Sequence, residues 1–177
     1  MRKLIVTEFL TLDGVYEDST PWRNGYNPED GQFKYDELFE SDVLLLGRVT
    51  YEGFAKYWST ATGNFAERMN SLPKFVATKT LKTLEWNATV LEGDVVKAVE
   101  ALKQQEGQNI LTYGSGNFAQ TLLQHGLVDE LRLMVFPLVL GQGKRFFSSE
   151  DRLALNLISS KNLGDGVMLQ TYAPSAI

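Results

Sequence analysis

Residues 110 to 147 read ILTYGSGNFAQTLLQHGLVDELRLMVFPLVLGQGKRFF, and the order of patterns in this stretch decides the fold class. A short apolar run meets the triplet Gly114-Ser115-Gly116, and an amphipathic helical pattern follows at once over residues 117–125. A second apolar strand then begins near Asp129. Strand, tight turn, helix and strand in this order predict a βαβ unit, from which parallel sheets are built.

Strand and helix patterns alternate through most of the remaining chain. Strands are predicted at residues 4–12, 42–47, 74–78, 88–93 and 109–113, and helices at residues 33–40, 48–58 and 95–107. The strand near Asp129 is expected to run on into residues 136–147, and a hairpin around Gly164-Asp165-Gly166 ends the chain. The sequence therefore predicts a single α/β domain over residues 1–177: a mostly parallel sheet, covered on both faces, with an antiparallel edge.

The amino-acid composition and net charge argue against several classes of protein. The net charge is −5 over 177 residues, so nothing in the composition indicates nucleic acid or an acidic membrane as a partner. One histidine and no cysteine make a metal site improbable, and no run approaches the roughly 20 apolar residues of a membrane span. We expect a cytoplasmic protein that acts on a small molecule, with no metal, no nucleic acid and no membrane.

Three predicted strands end in residues that suit an anionic ligand. Gly47 permits a sharp turn, and Arg48 and Thr50 then fall in the first turn of a helix, where free N–H groups favour an anion. Thr78 and Lys79 follow another strand, and the glycine triplet follows a third. Three such ends in one domain suggest separated phosphates, as in a dinucleotide. The G-x-G-x-x-G spacing is absent, so purely structural turns remain the alternative.

Carboxylates near the first strand and first helix are the other candidates. Asp13 ends the first strand and would either touch a substrate or simply start a turn. Asp30, Asp36 and Glu37 flank or occupy the first helix, where one of them could relay a proton and the others would face solvent. His125 is expected only to complement a helix C-terminus.

Three of these motifs together resemble the dihydrofolate reductase-like superfamily, which includes the reductase (C-terminal) domain of the riboflavin-biosynthesis enzyme RibD. They are TLDG after the first strand, LLLGRVTYEGF with its Gly-Arg-x-Thr, and the stretch from residue 114 to residue 147. The resemblance implies a three-layer α/β/α fold around a mixed, mostly parallel eight-stranded sheet with a C-terminal antiparallel hairpin. It also implies NADPH as cofactor and pairing into a homodimer.

The resemblance assigns roles to particular residues. The adenosine half and its phosphates would be held by Gly47, Arg48 and Thr50, and the 2′-phosphate would lie beside Thr78 and Lys79. The pyrophosphate would be cradled by Gly114, Ser115, Gly116, Asn117 and Phe118. The substrate would be bound by Gly14, Trp22, Asp36 and Tyr113. We expect Asp13 to be the catalytic residue; a carboxylate of the first helix, Tyr113 and water are the alternative proton donors.

The chain departs from the RibD pattern on the substrate side. Val15 stands where RibD-type reductases have Lys after Asp-Gly, and Tyr113-Gly114-Ser115 stands in place of Glu-Gly-Gly. We therefore expect an NADPH-dependent reductase that acts on a pteridine-like or aminopyrimidine-like heterocycle or on a carbonyl compound. A nucleotide-binding module and a structural dimer, both without turnover, are the alternatives.

Overall fold

The computed structural model of the protein describes residues 1–19, 21–22, 27–147 and 152–175. Within these residues the chain forms eight strands and five helices, numbered here in chain order. The strands are β1 (Leu4–Thr11), β2 (Ser41–Gly47), β3 (Lys74–Ala77), β4 (Ala88–Val90), β5 (Asn109–Tyr113), β6 (Glu130–Phe136), β7 (Ala154–Asn162) and β8 (Met168–Ser175). The helices are α1 (Pro28–Phe39), α2 (Arg48–Trp58), α3 (Asn64–Ser71), α4 (Val95–Gln104) and α5 (Gly116–Gln124).

All the described strands belong to one sheet, in the order β4-β3-β2-β5-β1-β6-β8-β7. The strands from β1 to β6 pair in parallel, whereas β8 pairs antiparallel with both β6 and β7. The predicted fold class is confirmed: a mixed, mostly parallel eight-stranded sheet with a C-terminal antiparallel hairpin.

Strand β1 lies at the centre of the sheet, between β5 and β6, and is buried on both faces. Leu4 and Val6 belong to the same core cluster as Leu122 of α5, whereas Ile5 belongs to the opposite cluster with Leu38 of α1. Burial on both faces explains why β1 begins as a continuous apolar run. Because β1, β5 and β2 are parallel neighbours, their carboxyl ends lie side by side at one edge of the sheet.

Helix α1 begins at Pro28, earlier than the predicted start at residue 33. Asn27 caps the helix, because its side chain accepts a hydrogen bond from the Asp30 N–H at 2.8 Å. Proline at the first helical position already has a helical φ and lacks one of the N–H groups that a helix start leaves unpaired. The capping residues set this start, whereas apolar spacing becomes visible only one turn later.

The predicted continuation of β6 into residues 136–147 is wrong. The strand ends at Phe136, and Pro137 has no N–H with which to extend the ladder. The Leu138 N–H donates back to the Phe136 carbonyl at 2.8 Å, which closes a tight turn. The following residues cross the carboxyl end of β1, where the Leu12 N–H donates to the Leu138 carbonyl at 2.8 Å.

Candidate functional site

Two of the predicted anion-binding turns lie side by side, at the carboxyl ends of the neighbouring strands β2 and β5. Ser115 joins them: its Oγ accepts a hydrogen bond from the Gly47 N–H at 2.9 Å, and its own N–H donates to Thr50 Oγ1 at 3.0 Å. The Ser115 hydroxyl also donates to the Tyr113 carbonyl at 3.2 Å. One serine therefore fixes the start of α2 against the start of α5.

The two turns approach each other closely. Gly114 and Ser115 both adopt left-handed conformations, with φ of 54° and 63°, so the chain reverses sharply before α5. A Cβ on Gly47 would lie 3.4 Å from the Cβ atoms of Ser115 and Phe118. Neither Gly47 nor Ser115 caps its helix with a side-chain hydrogen bond. Two helix N-termini without side-chain caps thus meet at one edge of the sheet, an arrangement that favours an anion.

Charged and hydroxyl side chains surround this edge. Arg48 lies in the first turn of α2, where its Nη1 donates to Glu52 Oε2 at 2.8 Å, and both side chains are nearly half exposed. Lys79 is exposed and follows β3, the strand next to β2. Thr78 Oγ1 accepts the Leu81 N–H at 3.1 Å and so shapes the turn that carries Lys79. All three predicted anion-binding strand ends therefore lie along the same edge.

Asp13 makes contacts that anchor a loop. Its carboxylate accepts hydrogen bonds from the Thr11 hydroxyl at 2.6 Å, the Gly141 N–H at 2.9 Å and the Leu140 N–H at 3.2 Å. The bond from Thr11, followed by those from Gly141 and Leu140, lowers the pKa of Asp13 to about 2. Such a carboxylate holds no proton at neutral pH. A catalytic role for Asp13 stays a prediction, and its geometry suits the attachment of residues 138–147.

An antiparallel strap crosses the carboxyl end of β1, formed by residues 14–16 and 144–146. The Tyr16 N–H donates to the Lys144 carbonyl at 3.1 Å. The Tyr16 ring lies on Gly116, so that any Cβ at this position would clash with the ring. The strap therefore covers the first residue of α5.

A cavity of about 380 Å³ opens beside the strap, between two loops. Its lining consists of Val15, Glu17, Asp18, Pro21, Trp22, Leu140, Gln142 and Gly143. Of the residues predicted to bind substrate, Trp22 lines this cavity, and Gly14 lies within the adjoining strap. The Gly14 carbonyl accepts the Phe146 N–H at 2.9 Å.

A row of aromatic rings leads from Trp22 towards Tyr113. The Trp22 and Phe136 ring centroids lie 5.4 Å apart, and Phe136 and Phe9 follow at 5.8 Å, both edge to face. Lys34 Nζ then lies 5.0 Å from the Phe9 ring centroid and 4.2 Å from that of Tyr113. The structure thus connects two predicted substrate residues through packed aromatic rings and one buried cation.

Lys34 belongs to an ionic chain beneath α1. Its side chain is only 7% exposed and pairs with the fully buried carboxylate of Glu37, while its Nζ donates to Thr7 Oγ1 at 3.3 Å. Glu37 Oε2 lies 3.7 Å from Arg132 Nη1, and Arg132 Nη2 pairs with Glu130 at 2.9 Å. Burial lowers the pKa of Lys34, and the negative charge of Glu37 opposes that shift.

Glu8 is a buried carboxyl group on the other face of β1. It lies two residues after Val6 and four after Leu4, so it shares their face of β1 and points away from the Lys34 side of the sheet. Burial raises the pKa of Glu8 to about 8, although the charge of Lys34 acts in the opposite direction. Within the described residues, Glu8 Oε1 and Thr112 Oγ1 are both buried without a hydrogen-bond partner.

Asp36 is not brought together with the other predicted substrate residues. It lies on the exposed side of α1, where its Oδ1 accepts a hydrogen bond from Gln32 Nε2 at 2.7 Å. It lines a separate cavity of about 360 Å³ with Arg132 and Thr171, between α1 and the β6-β8-β7 part of the sheet. Its predicted contact with substrate therefore stays a prediction.

Sequence reasoning missed Lys34 and Glu8. Lys34 precedes the core residue Leu38 by four positions, so helical spacing alone assigns both side chains to one face of α1. Period-two alternation likewise assigns Glu8 to the face of Leu10 in β1. Both signals were present in the sequence, but charged residues are read by default as exposed.

The family model of the RibD C-terminal domain matches residues 2–169. The chain belongs to the RibD C-terminal domain family. The Bacillus subtilis (strain 168) protein named "Uncharacterized protein YyaP" is 28% identical over 183 residues, covering 97% of this chain and 94% of the relative. A Shewanella sp. PV-4 crystal structure, named "Putative riboflavin biosynthesis protein", superposes with a TM-score of 0.79. It is 26% identical and covers 98% of this RibD-type chain and 99% of its own.

The fold extends to dihydrofolate reductase. The Enterococcus faecalis dihydrofolate reductase, in complex with NADP(H), matches with a TM-score of 0.65 at 17% identity, covering 98% of this chain and 97% of its own. Membership of the RibD C-terminal family supports a reductase-type function and an oxidoreductase activity. Across the described parts of the chain, no helix has the length and apolarity to cross a bilayer. Nor does any group of three or more His, Cys, Asp or Glu there offer a metal site.

Proposed function

We propose that the protein is an NADPH-dependent reductase that acts on a C=N or C=O bond of a small heterocyclic or carbonyl substrate. The observation that carries the proposal is the junction at Ser115, where two helix N-termini without side-chain caps meet at the ends of adjacent parallel strands. Ligands of open α/β sheets bind beyond the carboxyl ends of the strands, and helix N-termini are suited to phosphate groups.

The residues at this edge fit the cofactor. Gly47, Arg48 and Thr50 would hold the adenosine half and its phosphates, with Thr78 and Lys79 beside the 2′-phosphate. Gly114, Ser115, Gly116, Asn117 and Phe118 would cradle the pyrophosphate: the N–H groups of Gly114 and Ser115 donate to Thr7 and Thr50 and fix the turn, and the backbone of residues 116–118 would face the phosphates. When bound, NADPH supplies the hydride. The Enterococcus faecalis dihydrofolate reductase, which has the same fold, binds NADP(H), and this supports the assignment of NADPH to this chain.

On the substrate side, the chain contributes enclosure and orientation. Trp22, Phe136 and Phe9 offer flat apolar surfaces, which suit a planar ring and exclude water from it. The ionised Asp13 would keep residues 138–147 over the cleft, and Gly14 would shape its rim. We propose that substrate binds between this aromatic row and Tyr113.

Titration of the purified protein with NADPH and with NADH tests the cofactor assignment. Binding should be saturable by tryptophan fluorescence and should raise the thermal midpoint, with tighter binding of NADPH. The Lys79→Ala variant should lose about tenfold in affinity for NADPH and little for NADH, because only NADPH carries the 2′-phosphate. Lys82→Ala, an exposed lysine three residues further along, is the matched control and should bind as the parent does.

Turnover is tested separately, by NADPH oxidation with a panel of pterins, aminopyrimidines, quinones and small carbonyl compounds. Oxidation that depends on one of these compounds would support the reductase. Binding of NADPH without turnover of any compound would favour a nucleotide-binding module. Binding of neither nicotinamide nucleotide would contradict the proposal and favour a structural dimer.

We also propose that the protein works as a homodimer through the edge of the sheet formed by β7. Within the described residues, β7 pairs only with β8, so one of its edges is unpaired. Leu157 and Ile158 on this strand are 58% and 56% exposed. An unpaired edge strand with exposed apolar side chains is a surface that a second copy of the chain can cover.

A further inference from the structure

Lys34 is a buried cation that the proposed reductase function does not by itself require. Its Nζ carries three N–H donors, of which Glu37 takes one and Thr7 Oγ1, at 3.3 Å, takes another. Among the described residues the Nζ also faces aromatic rings, at 4.2 Å for Tyr113, 5.0 Å for Phe9 and 5.8 Å for Phe33. A ring face attracts an ammonium but accepts a hydrogen bond only weakly.

The charges around Lys34 leave it under-neutralised. Glu37 is shared between Lys34 and Arg132, so one carboxylate faces two cations. Arg132 has a second partner in Glu130, whereas no second ion pair is found for Lys34 among the described residues. Glu8 lies on the other face of β1, and burial raises its pKa to about 8, so much of it is neutral near pH 7. An acceptor atom of a ligand would meet a cation with unused donor capacity.

The position of Lys34 connects it to both halves of the candidate site. Tyr113, whose ring it touches, immediately precedes the Gly114-Ser115 turn, and the Tyr113 hydroxyl donates to the Lys34 carbonyl at 3.4 Å. On the other side, Phe9 continues the row to Phe136 and Trp22. Lys34 thus lies between the turn assigned to the cofactor and the aromatic surfaces assigned to the substrate.

We propose that Lys34 determines substrate specificity by donating a hydrogen bond to an oxo oxygen of a planar heterocycle bound against Tyr113 and Phe9. The inference rests on the proposed function, because it takes the aromatic row as the substrate site. The inference predicts that the site binds oxo-heterocycles more tightly than amino-heterocycles. A carboxylate in the same place would select the opposite, since it can only accept.

Two compounds that differ at one group test this selection: pterin, with an oxo group at C4, and 2,4-diaminopteridine, with an amino group there. Their affinities are measured by calorimetry at pH 7 with the oxidised cofactor, NADP⁺, present at saturation, so that no turnover occurs. The parent protein should bind pterin about tenfold or more tightly than the diamino compound, because the bond comes from a charged donor. Lys34→Met should bring the two affinities together, and Lys34→Arg should keep part of the preference.

Lys74→Met is the matched control, since Lys74 is equally buried but donates to the carbonyls of Asn70 and Leu72, away from the cleft. It should leave the ratio of the two affinities unchanged. No binding of either compound, a preference for the diamino compound, or an unchanged ratio in Lys34→Met would overturn the inference. NADPH affinity is measured first on the parent and on every variant. If the parent protein does not bind NADPH, the proposed function fails, and the result does not bear on Lys34 alone.

Discussion

At residue 115 a serine adopts a conformation that the chain more often gives to glycine. Its φ of 63° and ψ of 33° cost an L-residue about 1–2 kcal/mol. The hydroxyl compensates with bonds to the Gly47 N–H and the Tyr113 carbonyl, each worth about 0.5–1.5 kcal/mol. The backbone strain at Ser115 is therefore offset by hydrogen bonds that hold the starts of α2 and α5 at a fixed distance.

This balance predicts different results for two substitutions at residue 115. Ser115→Ala keeps the left-handed strain and loses both bonds, whereas Ser115→Gly loses the bonds but relieves the strain. We expect the alanine variant to be less stable than the glycine variant by about 1 kcal/mol or more in urea unfolding. Equal stability of the two variants would mean that residue 115 is unstrained in solution.

Glu8 predicts an unusual dependence of stability on pH. Its folded-state pKa of about 8 lies above the ordinary 4.5, so the folded state binds the proton more tightly than the unfolded state. The stabilising contribution is complete below about pH 4.5 and is lost as the pH rises towards 8, by up to about 1.4 kcal/mol per pH unit.

The variant Glu8→Gln should remove this contribution to the slope, since glutamine does not titrate. Free energies of unfolding, measured from pH 5 to pH 8 in urea, should decline less steeply for Glu8→Gln than for the parent. The exposed Glu92→Gln is the control and should follow the parent. Parallel curves for the parent and Glu8→Gln would show that Glu8 is ionised within the fold.

At the scale of elements, the loop after β6 depends on one carboxylate of the β1 turn. Asp13 accepts two N–H groups of this loop, from Leu140 and Gly141. Asp13→Asn should loosen residues 138–147, because the amide provides one acceptor oxygen where the carboxylate provides two. Hydrogen exchange resolved by mass spectrometry should show faster exchange in that segment alone.

The attachment of this loop by Asp13 also depends on pH. The pKa of Asp13 is lowered to about 2, so its contribution is present above about pH 4 and is lost as the pH falls towards 2. Asp18→Asn, in the same turn region but exposed, is the control for the exchange experiment. Unchanged exchange at residues 138–147 in Asp13→Asn would contradict the anchoring role.

The elements also separate what local pattern can predict from what it cannot. The β5-turn-α5 unit and the terminal hairpin were predictable, because glycines and periodicity mark them within a few residues. The end of β6 was predicted wrongly, since the apolar run continues past Pro137 while the hydrogen-bonding ladder does not. The Lys34–Glu37–Arg132 chain joins α1 to β6 and depends on tertiary packing, which apolar periodicity does not encode.

At the scale of the whole molecule, the unpaired edge of β7, with Leu157 and Ile158 exposed, predicts assembly. Ile158→Asp should convert a dimer to a monomer in light scattering coupled to gel filtration, because a carboxylate cannot be buried unpaired at an interface. Lys82→Asp, on an exposed loop after β3, should leave the dimer intact. A parent protein that elutes as a monomer at micromolar concentration would remove the homodimer proposal.

The central place of β1 has a consequence for how the chain is made. In the sheet, Leu4 pairs with Ile110 and Ile5 with Glu130, so both neighbours of the first strand are synthesised about a hundred residues after it. At synthesis rates of roughly 5–20 residues per second, β1 leaves the ribosome several seconds before either neighbour exists. Nascent chains that stop before β6 should therefore remain unfolded and protease-sensitive, with an apolar N-terminus that chaperones can bind.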